Sequence, residues 1–379
     1  MKRTHERSLL VRSLAFGTCA VALVAACGGT ASSSAEETGS VSEALSGHRG
    51  FNRRGNILIS DQFNNRVVEI DPSGRVVWQF GLGPTDLSPN SLIGVNDAQR
   101  VGSLTLAAGT GVPAAEPPLE PGLTDGFADN RVVLIDEAGK IVWQYGQFGV
   151  TGSGDNELNT PVQATFLPND DIFIADQGNQ RIIEVSVFTK KIVWQYGQTG
   201  LSGVGADQLN NPNSAELLAN GHVLIADENN NRAIEVDRAK NIVATFTAGG
   251  TVSGAAFASR LVNGDTLITD SNNSRIVEVD KSDNVVWQYL TNGDPNSNSA
   301  PLPTRAVRLR NGNTLISDQF NDRVIEVDPA KDIVKSYGAL NVSGYDANNV
   351  AKSGLAAPYD AKVVGDYTGL TPPFGRDFD

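Results

Sequence analysis

The run RVVEID beginning at Arg66 returns in variant form at Arg131, Arg181, Arg232, Arg275 and Arg323, as RVVLID, RIIEVS, RAIEVD, RIVEVD and RVIEVD. Copies spaced by roughly 40–50 residues mark a repeat architecture, in which each unit buries its faces only against its neighbours. The recurrence also sorts residues. A side chain present in five of six units serves the unit, whereas a departure from the pattern is where function concentrates.

The last unit, PTRAVRLRNGNTLISDQFNDRVIEVDPAKDIVKSYG, divides into four short runs, AVRL, TLIS, RVIEV and IVKSY. Each is rich in β-branched or aromatic residues and bounded by Gly, Asn, Asp or Pro, which is the signature of strands joined by tight turns. No sustained helical periodicity interrupts them. Four antiparallel strands per unit at this period predict an all-β fold, a six-bladed β-propeller. The units align on an alanine of the first strand, at Ala98, Ala164, Ala215, Ala258, Ala306 and Ala361. Inner strands crowd around the axis, and a small residue is what that crowding requires. The first unit begins near Gly55 without a first strand of its own, while PYDAKVVGD (Pro358 to Asp366) resembles a first strand with no second. This C-terminal strand is therefore expected to complete the first blade and close the ring, leaving no free edge at the seam.

The predicted organisation is a leader at 1–26, a tether at 27–49, the propeller at 50–367 and a tail at 368–379. The leader has a basic start, MKRTHERSLLVR, and an apolar run too short to span a bilayer, as in a secretory signal peptide. The run VAAC ending at Cys27 resembles a bacterial lipoprotein cleavage site, which implies acylation of Cys27. Gly28 after the cysteine favours the outer membrane by the same resemblance, and several acyl chains would anchor stably. The other cysteine, Cys19, lies in the leader, so no disulfide is expected. The net charge is −13 and becomes −16 without the leader, with 26 basic and 42 acidic residues. Such a body is a poor match for nucleic acid or anionic lipid, so membrane contact is expected through the lipid alone. A monomer is expected.

The interblade stretches YGQFGVTGSGDNELNTP and YGQTGLSGVGADQLNNP, with DQGNQRIIEV and DENNNRAIEV, resemble the NHL repeat. NHL-type propellers include lyases, lactonase-like enzymes and interaction modules, so this likeness speaks for fold and little for activity. The fourth strands, GRVVWQFG, GKIVWQYG, KKIVWQYG and DNVVWQYL, also look like those of quinoprotein dehydrogenase and arylsulfate sulfotransferase propellers. They place Trp78, Trp143, Trp194 and Trp287 at one position, which Ala244 and Lys335 occupy elsewhere. That tolerance suits aromatic packing between blades rather than a cofactor seat.

Five blades carry an Asp five residues before the motif Arg (Asp61, Asp176, Asp227, Asp270, Asp318) and a Glu three after it (Glu69, Glu184, Glu235, Glu278, Glu326). Such regular repetition suits structural pairing. Each Asp is expected to cap its own polar turn and pair with its Arg, and each Glu to pair with a neighbouring strand. His5, His48 and His222 are the only histidines, too few for a sulfotransferase-like or histidine-based lyase site, and His222 reads as a turn residue. Blade two departs most. It has Gly126 and Leu134 where the Asp and Glu are expected, and an insertion from Gly109 to Asp125 with four prolines, stiff enough to wall the axis. Residues just before the aligned alanines also vary and should ring the channel mouth. Asn96, Asp97, Gln163, Asn213, Arg305, Tyr359 and Asp360 are candidate ligand contacts there, with Glu216, Gln99 and Lys362 one step deeper.

Two functional readings follow. The first is an envelope binding or scaffold module that presents its loop face to a protein, peptide or small polar ligand. The second is a lactonase-like hydrolase or lyase using a calcium-type ion held by Asp97, Asp360, Glu216 or Asn213. No cofactor other than such an ion is expected.

Overall fold

The computed structural model describes residues 50–366, apart from positions 117 and 121. The leader, Cys27, the tether and the tail lie outside the described residues. Six four-stranded antiparallel sheets form a six-bladed β-propeller. Blade one consists of Ile57–Asp61, Arg66–Ile70 and Val76–Phe80, with Pro358–Val363 as its inner strand. Ile59 pairs with Ala361 across this seam, so the two ends of the propeller are hydrogen-bonded into one sheet. Blade two runs Val95–Val101, Leu104–Val112, Phe127–Ile135 and Ile141–Gly146. Blades three to six begin with the inner strands Pro161–Phe166, Pro212–Leu217, Ala255–Arg260 and Arg305–Arg308. Among the described residues no helix is long and apolar enough to cross a membrane.

The aligned alanines are all buried, and in every blade but the second each faces an isoleucine of the second strand, as in Ala164 with Ile174 and Ala306 with Ile316. Apolar layers fill the gaps between adjacent blades. One cluster joins Leu106 and Val132 of blade two to Ile174 and Ile183 of blade three.

The motif Arg pairs with the Asp five residues before it in all five expected blades, at 2.5–2.8 Å. The Asp does not cap its turn, however. The turn is a short 3-10 segment closed by a left-handed residue such as Asn65 or Gln180, and the Asp gives it no capping bond. Instead the Asp accepts the side-chain amide of an Asn three residues on, as in Asn64 to Asp61 and Asn179 to Asp176, both 2.8 Å. In four of the five blades its other oxygen accepts a backbone N–H from the loop entering the blade, Ala356 to Asp61, Asn159 to Asp176, Asn210 to Asp227 and Ser253 to Asp270, and in the sixth blade the corresponding Asp318 oxygen takes none among the described residues. The Arg completes the clasp. Arg66 donates to the Asp346 and Gly354 carbonyls of its entry loop.

Blade two keeps this device at a different position. Asp129, two residues before Arg131, pairs with it at 2.6 Å and accepts the Ile93 N–H. The inserted segment also starts later than the sequence pattern indicates, because Gly109–Val112 continue the second strand and pair with the extended third strand.

The repeated Glu residues reach across blades in four of five cases, more specifically than pairing with a neighbouring strand. Glu69 holds Arg100, Glu184 holds Arg238, Glu235 holds Arg260 (2.9 Å) and Glu278 holds Arg308 (2.7 Å). Glu326 pairs within its own blade with Lys335, the residue at the tryptophan position. The tryptophans make a parallel contact. Each indole N–H donates to a carbonyl in a turn of the following blade, Trp78 to Glu137 and Trp143 to Val187, and Trp194 and Trp287 likewise to Arg238 and Pro329. They are blade-to-blade contacts on the rim and take no part in a central site.

Replacing Asp176 by Ala leaves the buried Arg181 without its carboxylate. Breaking a buried pair from one side costs about 3–5 kcal/mol. Chemical denaturation of Asp176→Ala is therefore expected to show a loss of that order, and a loss below about 1 kcal/mol would refute the clasp.

Candidate functional site at the channel mouth

The turns between second and third strands and the loops between blades open on one face, as required for a shared site. Together they enclose a cavity of about 600 Å³, within the range of small-ligand pockets. Its wall on one side is the blade-two extension, with Thr110, Val112, Asp125 and Phe127. Asn159 and Asn211, from the loops entering blades three and four, line another part, and Gln62, Gln177 and Glu228 come from the 3-10 turns.

The insertion is anchored rather than draped. Glu120 is 1% exposed, and its Oε2 accepts the side-chain amide of Asn65 at 2.9 Å. Burial pushes its carboxyl up to about 7, with only that hydrogen bond opposing. Asn65 is the left-handed residue of blade one and also accepts the Gly94 N–H, so the wall is tied to the frame of the blade.

Of the candidate residues, Asn96, Asn213 and Tyr359 line the cavity. The Tyr359 hydroxyl lies 3.0 Å from Asn213 Nδ2, and burial, with the nearby Glu228 charge, pushes it up to about 12. The other five do not reach the mouth. Asp97, Arg305 and Asp360, each just before an aligned alanine, form a buried cluster with Lys362, two residues after Asp360 on the same inner strand. Lys362 Nζ lies 2.8 Å from Asp97 and also contacts Asp360, and Arg305 lies 3.3 Å from Asp97 and 3.6 Å from Asp360. Gln163 and Glu216 lie deeper, with Gln99 and Lys362, around a void of about 20 Å³, room for about one water. The axis is thus closed beneath the mouth.

These deeper positions have a shared structural task. The side chain before an aligned alanine accepts the N–H of the next blade's alanine: Asp360 from Ala98, Asp97 from Ala164, Gln163 from Ala215 and Ser214 from Ala258. Blades five and six place Phe257 and Arg305 here, with the guanidinium 4.6 Å over the ring. The four candidate calcium ligands consequently do not form a calcium seat. Asp97 and Asp360 face two protein cations, Glu216 accepts the Arg260 N–H, and Asn213 bonds Glu228 and Tyr359. Among the described residues no three His, Cys, Asp or Glu side chains are grouped to hold a metal. His222 lies away from the mouth, with Nδ1 2.7 Å from Glu235 and its backbone N–H donated to Asn220 Oδ1.

Sequence reasoning missed the 3-10 turn position immediately after the repeated Asp. It carries Gln62, Gln177, Glu228, Ser271 and Gln319 in the five regular blades, always polar, and the first three line the cavity. The signal was present in that column. Gln319 donates to Gln62 at 2.7 Å and Gln62 to Asn96 at 2.9 Å. Opposite them, Gln177 and Asn213 donate to Glu228 at 3.2 and 2.8 Å.

Glu216 is buried among the inner strands, and burial pushes its carboxyl up to about 8, against the Arg260 N–H and charge. The folded state therefore holds this proton more tightly than the unfolded chain does. Its contribution to stability is intact below the ordinary carboxyl range and is lost as pH rises through about 8. Glu216→Gln should gain stability relative to the parent between pH 5 and pH 8.5, by roughly 3–5 kcal/mol. Denaturation midpoints at the two pH values measure this, and a pH-independent difference would contradict it.

Among solved structures the chain is similar to a protein of unknown function from Bacteroides caccae, with TM-score 0.51 and 15% identity over 75% of this chain and 93% of that one. It is also similar to a streptogramin B lyase, with TM-score 0.50 and 12% identity over 84% and 87%. A virginiamycin B lyase from Staphylococcus aureus gives TM-score 0.46 and 14% identity over 76% and 85%. At these identities the likeness concerns fold alone. No curated protein matches the chain. The sequence profile of the outer membrane protein assembly factor BamB family matches residues 20–289, most of the chain, and the chain belongs to that family.

Proposed function

We propose that this chain is an exported lipoprotein of the outer membrane, anchored through Cys27, whose propeller is a binding module of NHL-like repeats. Its loop face docks another envelope protein during outer membrane protein assembly. The observation that carries this reading is the cavity at the mouth. It is a large concavity on the loop face, it is built from the repeated 3-10 turns together with the blade-two extension that breaks the repeat, and buried ion pairs fill the axis beneath it, so it suits reception of a group from outside rather than passage. The family's description supplies the process, and the acidic body held away from anionic lipid supplies the geometry.

Two measurements test it. Labelled palmitate should enter the full-length protein, and Cys27→Ser should abolish both the label and outer-membrane fractionation; an unlabelled parent would remove the anchor. Deleting the protein should lower outer-membrane β-barrel protein levels. The parent chain should restore them, and Thr110→Trp, which fills the cavity, should not, although it folds. Unchanged levels on deletion, or turnover of a lactone or of a streptogramin B by the purified propeller, would overturn the docking reading in favour of a hydrolase or lyase.

A further inference from the structure

We infer that the mouth cavity receives a cationic group, an ammonium or guanidinium, seated against Glu228. This rests on the cavity being a docking seat and names what it takes. Among the described residues the charged side chains lining it are Asp125 and Glu228, both acidic, with no Lys, Arg or His. The repeated Asp residues, the repeated Glu residues and the axial Asp97 and Asp360 each have a protein cation. Glu228 has none among the described residues. Its Oε2 accepts Gln177 and Asn213, while its Oε1 and the Gln177 Oε1 accept nothing among the described residues. Two hydrogen-bonded residues of the cavity wall thus each keep an oxygen that takes no hydrogen bond among the described residues.

The repeat shows that this carboxylate is a choice. Three regular blades place Gln at the same position, Gln62, Gln177 and Gln319, and the turn geometry is the same in all. An amide would preserve the bond with Gln177 or Asn213, so the fold does not need the charge. Burial raises the Glu228 carboxyl, and a cation in the cavity would offset that desolvation. An anion would meet two carboxylates and no donor cation. The cations of the floor, Arg305 and Lys362, are already engaged by Asp97 and Asp360. Phe127, packed 5.2 Å from Phe148, offers an aromatic wall for the methylenes of a basic side chain.

Two sources share this chemistry, a basic side chain on a docking protein and a free amine. Calorimetry on the soluble propeller with acetyl-Gly-Lys-Gly-amide, its Nζ-acetylated form, cadaverine and calcium chloride separates them. The lysine peptide or cadaverine should bind in a salt-sensitive way, the acetylated peptide at least tenfold more weakly, and Glu228→Gln should reduce amine binding at least tenfold. Tighter binding of the peptide than of cadaverine assigns the seat to a protein side chain, and the reverse order to a free amine. Because Gln is native at this position in three blades, the melting temperature of Glu228→Gln should stay near that of the parent, which separates lost binding from lost folding. Equal binding of the acetylated peptide, no binding of either amine, or Glu228-dependent binding of calcium alone would each overturn the proposal. In cells, Glu228→Gln that restores β-barrel protein levels while Thr110→Trp does not would leave docking intact and remove the cation.

Discussion

The buried Asp–Arg pair is the interaction on which the loop face depends. Arg66 and Arg131 are fully buried, and a guanidinium in that position is tolerable only with its carboxylate and further acceptors in place. The acceptors are supplied by the chain segment that enters the blade, as when Arg131 donates to the carbonyls of Pro89 and Ser91. The charge pair and the entry loop thus satisfy one another. Each loop is fixed at several points by groups whose release would leave a buried charge uncompensated, and that rigidity lets loops from several blades form one cavity wall.

Contacts between blades are less uniform than contacts within them. An Arg two residues after the aligned alanine occurs in blades two, five and six, at Arg100, Arg260 and Arg308, and each meets the Glu of the preceding blade. Arg100 also lies over Trp78 at 4.5 Å, and Arg308 over Trp287 at 5.3 Å, so the Glu and the Trp of one blade hold the same cation of the next. Blade four reaches back differently, with Arg238 from a turn lying over Trp194 and paired with Glu184. Rim chemistry can vary in this way because the apolar layers already join the blades, and the polar contacts set their angle.

The blades, the closing strand, the six inner alanines and the Asp–Arg pairs were legible in the sequence because each recurs and each answers a packing or desolvation requirement. The Asn three residues after the repeated Asp was equally periodic. It was passed over because a polar residue in a turn already has a sufficient local explanation. Asp129 was illegible for the opposite reason: it sits off the repeat register, and only the extended strand carries it back to Arg131. Of the candidate mouth residues, Asn96, Asn213 and Tyr359 line the cavity, while Asp97, Gln163, Arg305 and Asp360 lie one position deeper than expected. The inner strand bends at an irregularity beside them, between Val95 and Asp97 and again between Pro161 and Gln163, so alternation counted from the alanine fails just where the mouth begins.

That irregularity decides what kind of site a closed propeller can have. Past the bend, the first residues of the inner strands open outward as Asn96, Val162, Asn213 and Tyr359, and the next ones turn inward to hold the neighbouring alanine's N–H. A cation pair and a carboxylate pair then fill the axis, a combination that stays buried because each charge meets an opposite one. The floor is consequently neutral in sum and unavailable, and the electrostatic character of the cavity is left to its walls. There the amides of the repeat contribute hydrogen bonds without charge, and the two departures from the repeat, Glu228 and the insertion's Asp125, contribute charge of one sign. The ring supplies shape and the exceptions supply polarity, so selectivity can change through a single turn residue while the clasp that holds that turn stays the same.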